Sequence, residues 1–236
     1  MSEHDEIARL RKALEADFED FVSVAAHNLR EPLRDVASFS QLMAETYAGR
    51  LDSDAGELLE RIGQGSVKMQ SLLTDMVAYA AAGTGERRLA PTDMEAVLSH
   101  ALLCADRQVV ERNAIVTHDP LPEIWGDFET LTKVLHHLIR NAIEYCDATP
   151  PHVHISSRRE DPDQIFSVQD NGPGIEAAFH GRVFGPFKRL HGREYPGNGL
   201  GLAYCRKALD ALGGRIWLVS TPGSGSTFCF ALPADD

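Results

Sequence analysis

Asp170-Asn171-Gly172-Pro173-Gly174-Ile175 is the stretch on which the reading of this chain turns. It follows an apolar, strand-like run that includes Ile165, Phe166 and Val168. An Asp followed by glycines at alternate positions ends that strand in a backbone lacking Cβ atoms at two points. Such a backbone can approach a flat ligand closely and can take up positive φ. The Asp carboxylate can accept a hydrogen bond from an exocyclic amine. The same pattern also serves as a plain strand-ending turn, so the surrounding segments decide between the two readings.

Upstream, Phe128 to Cys146 carries Leu131, Val134, Leu135, Leu138 and Ala142 at helical spacing. Asn141 lies four residues after His137, so both project from one helix face. An amide oxygen is a hard ligand suited to magnesium, which takes few protein ligands beside phosphate and water. Downstream, Gly197, Gly199 and Gly201 open a further helical pattern, Leu200 to Leu212. Their amides, with the positive end of the helix dipole, can hold phosphate oxygens. Lys188, Arg189 and Arg193 are candidate phosphate contacts on the same grounds of charge. The alternatives for each are a turn glycine or a solvated surface cation. Tyr145 and Phe187 read by their chemistry as packing residues.

The rest of the domain is mixed. Strands are predicted at 89–92, 114–117, 152–157, 164–169, 215–220 and 226–232, with 121–125 short and extended. A helix is predicted over 93–107. Strands and helices do not alternate regularly, so an α+β layered sandwich is expected rather than a doubly wound sheet.

The first third is different. Residues 5–47 read as one long helix, with a stripe through Leu10, Leu14, Phe18, Phe21, Ala25, Leu29, Leu33, Val36, Ser40, Met43 and Tyr47. Gly49 breaks it and Asp52-Ser53-Asp54 offers an N-cap for a second helix running to about Ala82. Its stripe is Ala55, Leu58, Ile62, Ser66, Met69, Leu73, Met76 and Ala80. A lone hairpin exposes its seam, so a homodimer closing a four-helix bundle is expected. The boundaries fall at 1–83 for the hairpin and 86–236 for the mixed domain, either side of Gly83-Thr84-Gly85.

The chain has 236 residues and a formal net charge of −12, which argues against nucleic-acid partners, since these require a basic face. Cys104, Cys146, Cys205 and Cys229 form no CxxC pair and read as reduced, buried thiols. No apolar run approaches the length of a membrane span and no signal peptide is legible, so a soluble, cytoplasmic protein is expected.

His27 lies about 200° of helix turn from Ala25 and from Leu29, so it points away from the stripe. Pro32, five residues on, removes a helix hydrogen bond and clashes with the carbonyl four residues back, which predicts a bend near His27. An exposed imidazole beside a hinge suits a nucleophile that meets partners in different orientations.

The run His27-Asn28-Leu29-Arg30-Glu31-Pro32-Leu33 resembles the phosphoacceptor box of sensor histidine kinases. Asn141-Ala142-Ile143-Glu144-Tyr145 is similar to that family's magnesium-binding N box, and Asp170 to Gly174 to its first, adenine-binding glycine box. Val183-Phe184-Gly185-Pro186-Phe187-Lys188-Arg189 resembles the F box. Gly197-Asn198-Gly199-Leu200-Gly201-Leu202 resembles the second glycine box, and Pro222-Gly223-Ser224-Gly225-Ser226-Thr227-Phe228 the last glycine turn. The boxes stand in family order along essentially the whole chain, and the run from Arg189 to Gly201 looks most like the phytochrome-type branch.

The resemblance implies a dimeric hairpin followed by an ATPase sandwich of the histidine kinase, gyrase and Hsp90 type. It implies that His27 takes the γ-phosphoryl group of Mg-ATP and passes it to an aspartate on a response regulator. It places His137, Asn141, Tyr145, Asp170, Gly172, Gly174, Lys188, Arg189, Arg193, Gly197, Gly199, Gly201 and Thr227 at the nucleotide, with Asn141 on Mg2+.

Four positions depart from the pattern. Asn28 stands where an acid is usual, and an amide can orient the imidazole but cannot take its proton. Glu31 stands where Thr or Asn commonly positions water for dephosphorylation. His137 replaces the first Asn of the N box, with His136 beside it, and Glu144 replaces a common Lys. These departures keep two other readings open: a degenerate kinase acting as a nucleotide-binding dimeric scaffold or phosphotransfer module, and an ATPase of the same superfamily that drives conformational change.

Overall fold

The computed structural model describes residues 3–84, 88–188 and 197–234, with side chains from residue 13 onward. The chain divides into two compact units, Met1–Thr84 and Gly85–Asp236.

The first unit is a hairpin of α1 (Glu3–Thr46) and α2 (Ser53–Ala81). Gly49, at φ 74, turns the chain between them. Asp52 caps α2, its Oδ1 accepting from the Ala55 amide at 2.8 Å. α1 runs through Pro32 as one continuous helix. Among the described side chains, Val22, Ala26 and Ser40 are the buried positions of α1, with Leu33 and Ala37 among the half-buried ones; Ser66 and Ala80 are the buried positions of α2. The buried hydroxyls are satisfied locally: Ser40 donates to the Val36 carbonyl at 2.7 Å and Ser66 to that of Ile62 at 3.1 Å. Most of the apolar stripe faces outward in the single hairpin, where a lone copy leaves its seam. Leu14 and Phe21 are each 71% exposed, and Phe18, Leu29, Val36, Met43, Tyr47, Leu58, Ile62 and Met69 are exposed too. Small residues let the two helices approach, while the bulky ones flank that line.

The second unit opens with β1 (Ala90–Asp93), α3 (Met94–Arg112), β2 (Ile115–His118), β3 (Glu123–Gly126) and α4 (Phe128–Glu144). β4 (His152–Glu160), β5 (Asp163–Asp170), a 3-10 turn at Ala177–Phe179, α5 (Gly201–Ala211), β6 (Arg215–Ser220) and β7 (Ser226–Pro233) follow. Five strands form one mixed sheet in the order β2-β4-β5-β7-β6, and β1 pairs with β3 apart from it. Only β2 and β4 are parallel within the five. The helices pack on this sheet as a second layer, α4 between α3 and α5 and against β4 and β5. Leu131, Val134, Leu135, Leu138 and Ile139 of α4 are fully buried, as are Phe166 and Phe230, whose rings stack at 5.0 Å.

α3 runs five residues beyond the predicted 107, because its stop is Asn113 in the left-handed region at φ 50, donating to the Val109 and Val110 carbonyls. β4 continues to Glu160 although its last three residues are exposed. Ladder pairing with Asp163, Gln164 and Ile165 holds the backbone there after the alternation has lapsed. Cys146, Cys205 and Cys229 are buried free thiols, whereas Cys104, expected buried, is exposed on α3. Among the described residues no helix is long and apolar enough to cross a membrane.

Asp127 caps α4, accepting from the Thr130 amide at 2.8 Å and the Arg88 amide at 2.9 Å. Burial pushes its carboxyl pKa up, but the bonds from Thr130 and Arg88 outweigh this and hold it below its ordinary value. A depressed carboxyl pKa stabilises the fold above the unfolded value, and the contribution fades as pH falls through the folded one. Asp127→Ala is therefore expected to cost about 1–2 kcal/mol near neutral pH. Urea unfolding should show the gap to the wild type narrowing below about pH 4.

Candidate functional site

A cavity of about 90 Å³ opens in the second unit between α4, the loop after β5, the loop before α5 and the start of β7. That is several times the space one water needs. Ala142 of α4 lines it, together with four polar residues of that helix: His137, Arg140, Asn141 and Glu144. Their spacing of three, one and three puts them on one face, opposite the fully buried Leu131, Leu135 and Leu138.

Asp170 forms the floor. It ends β5, one position beyond the Gln169–Thr227 pair with β7. Its Oδ1 accepts from the Gly172 amide at 2.9 Å and the Ser226 amide at 3.0 Å. Among the described residues nothing donates to Oδ2, which leaves an acceptor at the cavity. Burial raises this carboxyl's pKa, and the two amides oppose the shift. Gly174 lies at φ 74, and a Cβ there would sit 2.1 Å from the Thr221 carbonyl, so no other residue fits without moving backbone. Asn171 faces away from the site. Its Oδ1 accepts from the His152 amide at 2.8 Å and from the Cys146 thiol at 3.0 Å, tying the loop to β4 and to the end of α4.

Gly197, Gly199 and Gly201 border the other end. Leu200 precedes α5 and makes no side-chain cap, so the first amides of α5 have no side-chain acceptor. The Phe187 amide donates to the Gly199 carbonyl at 2.8 Å and pins the two sides of this loop together. Lys188 reaches the cavity from an exposed position. Arg189 and Arg193 lie outside the described residues.

His137 lines the cavity with its Nδ1 closed off from water and without a hydrogen-bond partner. A Cβ on Gly201 would stand 3.1 Å from that nitrogen, so α5 begins on a glycine because the imidazole occupies the space. The ring packs on Tyr204 at 5.2 Å and on His136 at 5.6 Å. Burial, then the charges of Arg140, His136 and Lys133, pull its pKa down to about 3, so it is neutral at pH 7. Among the described residues no cluster of three or more His, Cys, Asp or Glu is arranged to hold a metal.

Of the residues predicted at this site, His137, Asn141, Tyr145, Asp170, Gly174, Lys188, Gly197, Gly199 and Gly201 line the cavity. Gly172 is buried beside it and donates to Asp170. Thr227 is a correction: Ser226 and Phe228 line the cavity, and alternation along β7 turns Thr227 to the other side. Arg140, Ser226, Val183, Leu202 and Phe228 were missed. For Arg140 the signal was available, three residues from His137 on the face already identified. His27, Asn28 and Glu31 are exposed on α1 in the other unit.

The donor set fits a nucleotide and its cation. An exocyclic amine would meet Asp170, an anion would meet the α5 amides, and a hard cation would meet the Asn141 amide oxygen.

Residues 19–85 match the His Kinase A (phospho-acceptor) domain, and residues 126–236 match the Histidine kinase-, DNA gyrase B-, and HSP90-like ATPase. The chain is 40% identical over 233 residues to cyanobacterial phytochrome A of Nostoc sp., covering 97% of this chain and 30% of that protein. It is 37% identical over 233 residues to phytochrome-like protein Cph1 of Synechocystis sp., covering 97% and 31%. The crystal structure of full-length ShkA in complex with AMPPNP superposes with a TM-score of 0.72 at 26% identity, covering 91% of this chain and 46% of that one. The chain thus carries a phospho-acceptor domain match followed by a histidine kinase-, gyrase B- and HSP90-like ATPase domain match. Its similarity is to the phytochrome-type branch, and it spans less than a third of the length of those two curated relatives.

A folded chain that holds His137 neutral takes up fewer protons than the unfolded chain between about pH 3 and 6.5. The stability due to this group is full above 6.5 and falls as pH falls below it. Asn at this position does not titrate. Urea midpoints at pH 7 and pH 5 should therefore show the gap between wild type and His137→Asn narrowing at the lower pH.

Proposed function

We propose that this chain is the catalytic core of a two-component sensor histidine kinase, with residues 1–83 as the dimerisation and phosphotransfer hairpin and 86–236 as the ATP-binding domain. What carries the reading is one pairing within a single chain. An exposed histidine lies in the segment matching the phospho-acceptor domain, and an acceptor carboxylate faces an uncapped helix start across the cavity of the ATPase domain.

The adenine sits at Asp170, with Gly174 letting the backbone lie flat against it. The phosphates run toward Gly197, Gly199 and the α5 amides, with Lys188, Arg189 and Arg193 as further cations. Asn141 would hold Mg2+, which would supply positive charge to offset that of the phosphates. A ring nitrogen of His27 attacks the γ-phosphorus. The N–P bond forms, the bond from phosphorus to the β–γ bridging oxygen breaks, and ADP leaves with that electron pair. Asn28 orients the imidazole. Glu31, one turn on along the same face, is the carboxylate placed to accept its proton. The phosphoryl group then passes to an aspartate of a response-regulator receiver domain.

The homodimer is supported by the bulky stripe that the hairpin leaves outside, including Leu14, Phe21, Phe39 and Leu42. Burying it against a second copy removes apolar surface that water would otherwise cover. Light scattering on the eluting chain is expected to give a dimer; a monomer at micromolar concentration contradicts the bundle.

Glu144 favours the scaffold as a second reading, because it places a carboxylate in a pocket meant for a polyanion. Incubation with γ-labelled ATP and magnesium separates the two. Acid-labile, alkali-stable label on the wild type and none on His27→Gln is the expected result. ATP bound without label would make the chain a scaffold, and label on the variant would move the phosphoacceptor elsewhere.

A further inference from the structure

We propose that Arg140 is the cation that grips the phosphates in this pocket, and that Glu144 holds it in place when they are absent. The inference rests on the nucleotide reading above and adds a specificity-determining residue to it.

The two side chains face the cavity from one side of α4, with Arg140 Nε 3.7 Å from Glu144 Oε2. That is close enough for charge attraction and too long for a hydrogen bond. Nε is shut off from water and has no hydrogen-bond partner. A guanidinium with a buried, unused donor is costly to keep. The cost falls if a ligand oxygen draws the fork into a properly bonded position.

A second observation fixes where such an oxygen would lie. Arg140 Nη2 is 3.7 Å from the position of a Cβ on Gly201, the first residue of α5. The guanidinium thus stands beside the helix start whose amides have no side-chain cap. Fork and amides converge on one spot, and a phosphate accepts from both at once. The neighbouring His137 is neutral, so it adds no positive charge at this corner. Lys188, the other described cation at the cavity, is on an exposed loop position and has water as a competing partner.

Glu144 opposes the same ligand. Its carboxylate competes for the guanidinium and repels phosphate, so a phosphate-bearing ligand must displace Arg140 from it. Adenosine, which carries no phosphate, should be indifferent to both residues.

Calorimetric titration with adenosine and with ADP, both in EDTA, tests this on the full chain. Arg140→Met should bind adenosine as the wild type does and ADP about tenfold or more weakly. Glu144→Gln should tighten ADP severalfold and leave adenosine unchanged. Wild-type ADP affinity in Arg140→Met overturns the proposal. Should that variant lose adenosine as well, Glu144→Gln decides: tighter ADP supports the proposal, and unchanged ADP affinity overturns it. A wild type that binds neither ligand removes the nucleotide reading, and this inference with it.

Discussion

One carboxylate oxygen organises the second unit. Asp170 Oδ1 accepts from the Gly172 amide in its own loop and from the Ser226 amide at the start of β7. Those two bonds join the end of one strand to the beginning of its neighbour just past the last ladder pair. The surrounding backbone is drawn tight around the joint. A Cβ on Gly225 would lie 2.1 Å from the Asp170 carbonyl, and the Gly223 amide donates to the Pro173 carbonyl at 2.7 Å. A desolvated carboxylate is tolerated there because two amides meet one of its oxygens. The other oxygen stays available at the cavity as an acceptor for a ligand's donor.

α4 supplies the opposite wall by splitting its two faces cleanly. Asp127 caps its start, its leucines bury one side completely, and His137, Arg140, Asn141 and Glu144 hold the other toward the cavity. Its far end is tied through Cys146 to Asn171, and through the Cys146 carbonyl to Arg112 of α3 at 2.7 Å. In the hairpin, the same economy of faces operates on a larger scale. Small residues line the contact between α1 and α2, and bulky apolar residues are left for a second surface.

Much of this was legible in the sequence because the features are local. The strand before Asp170, the α4 stripe and the Asp52 cap follow from spacing and side-chain chemistry alone. The resemblance places Thr227 at the nucleotide, and which face of β7 meets the cavity cannot be read until the neighbouring strand's register is known. The structural role of Asn171 depends on Cys146 and His152, which lie far back along the chain. Arg140 went unnoticed as an ordinary surface-type residue, although its phase on α4 matched that of its neighbours. The exposed His27 followed from helix phase, and its assignment as phosphoacceptor from the resemblance of its box.

The most direct measurement is an amide nitrogen–proton spectrum of the chain as ADP is added. If Asp170 organises the base-binding end, the Gly172 and Ser226 resonances should shift among the most, together with those of Gly174 and the first residues of α5. Shifts confined to other surfaces, with Gly172 and Ser226 unmoved at saturation, would contradict the placement of the nucleotide site.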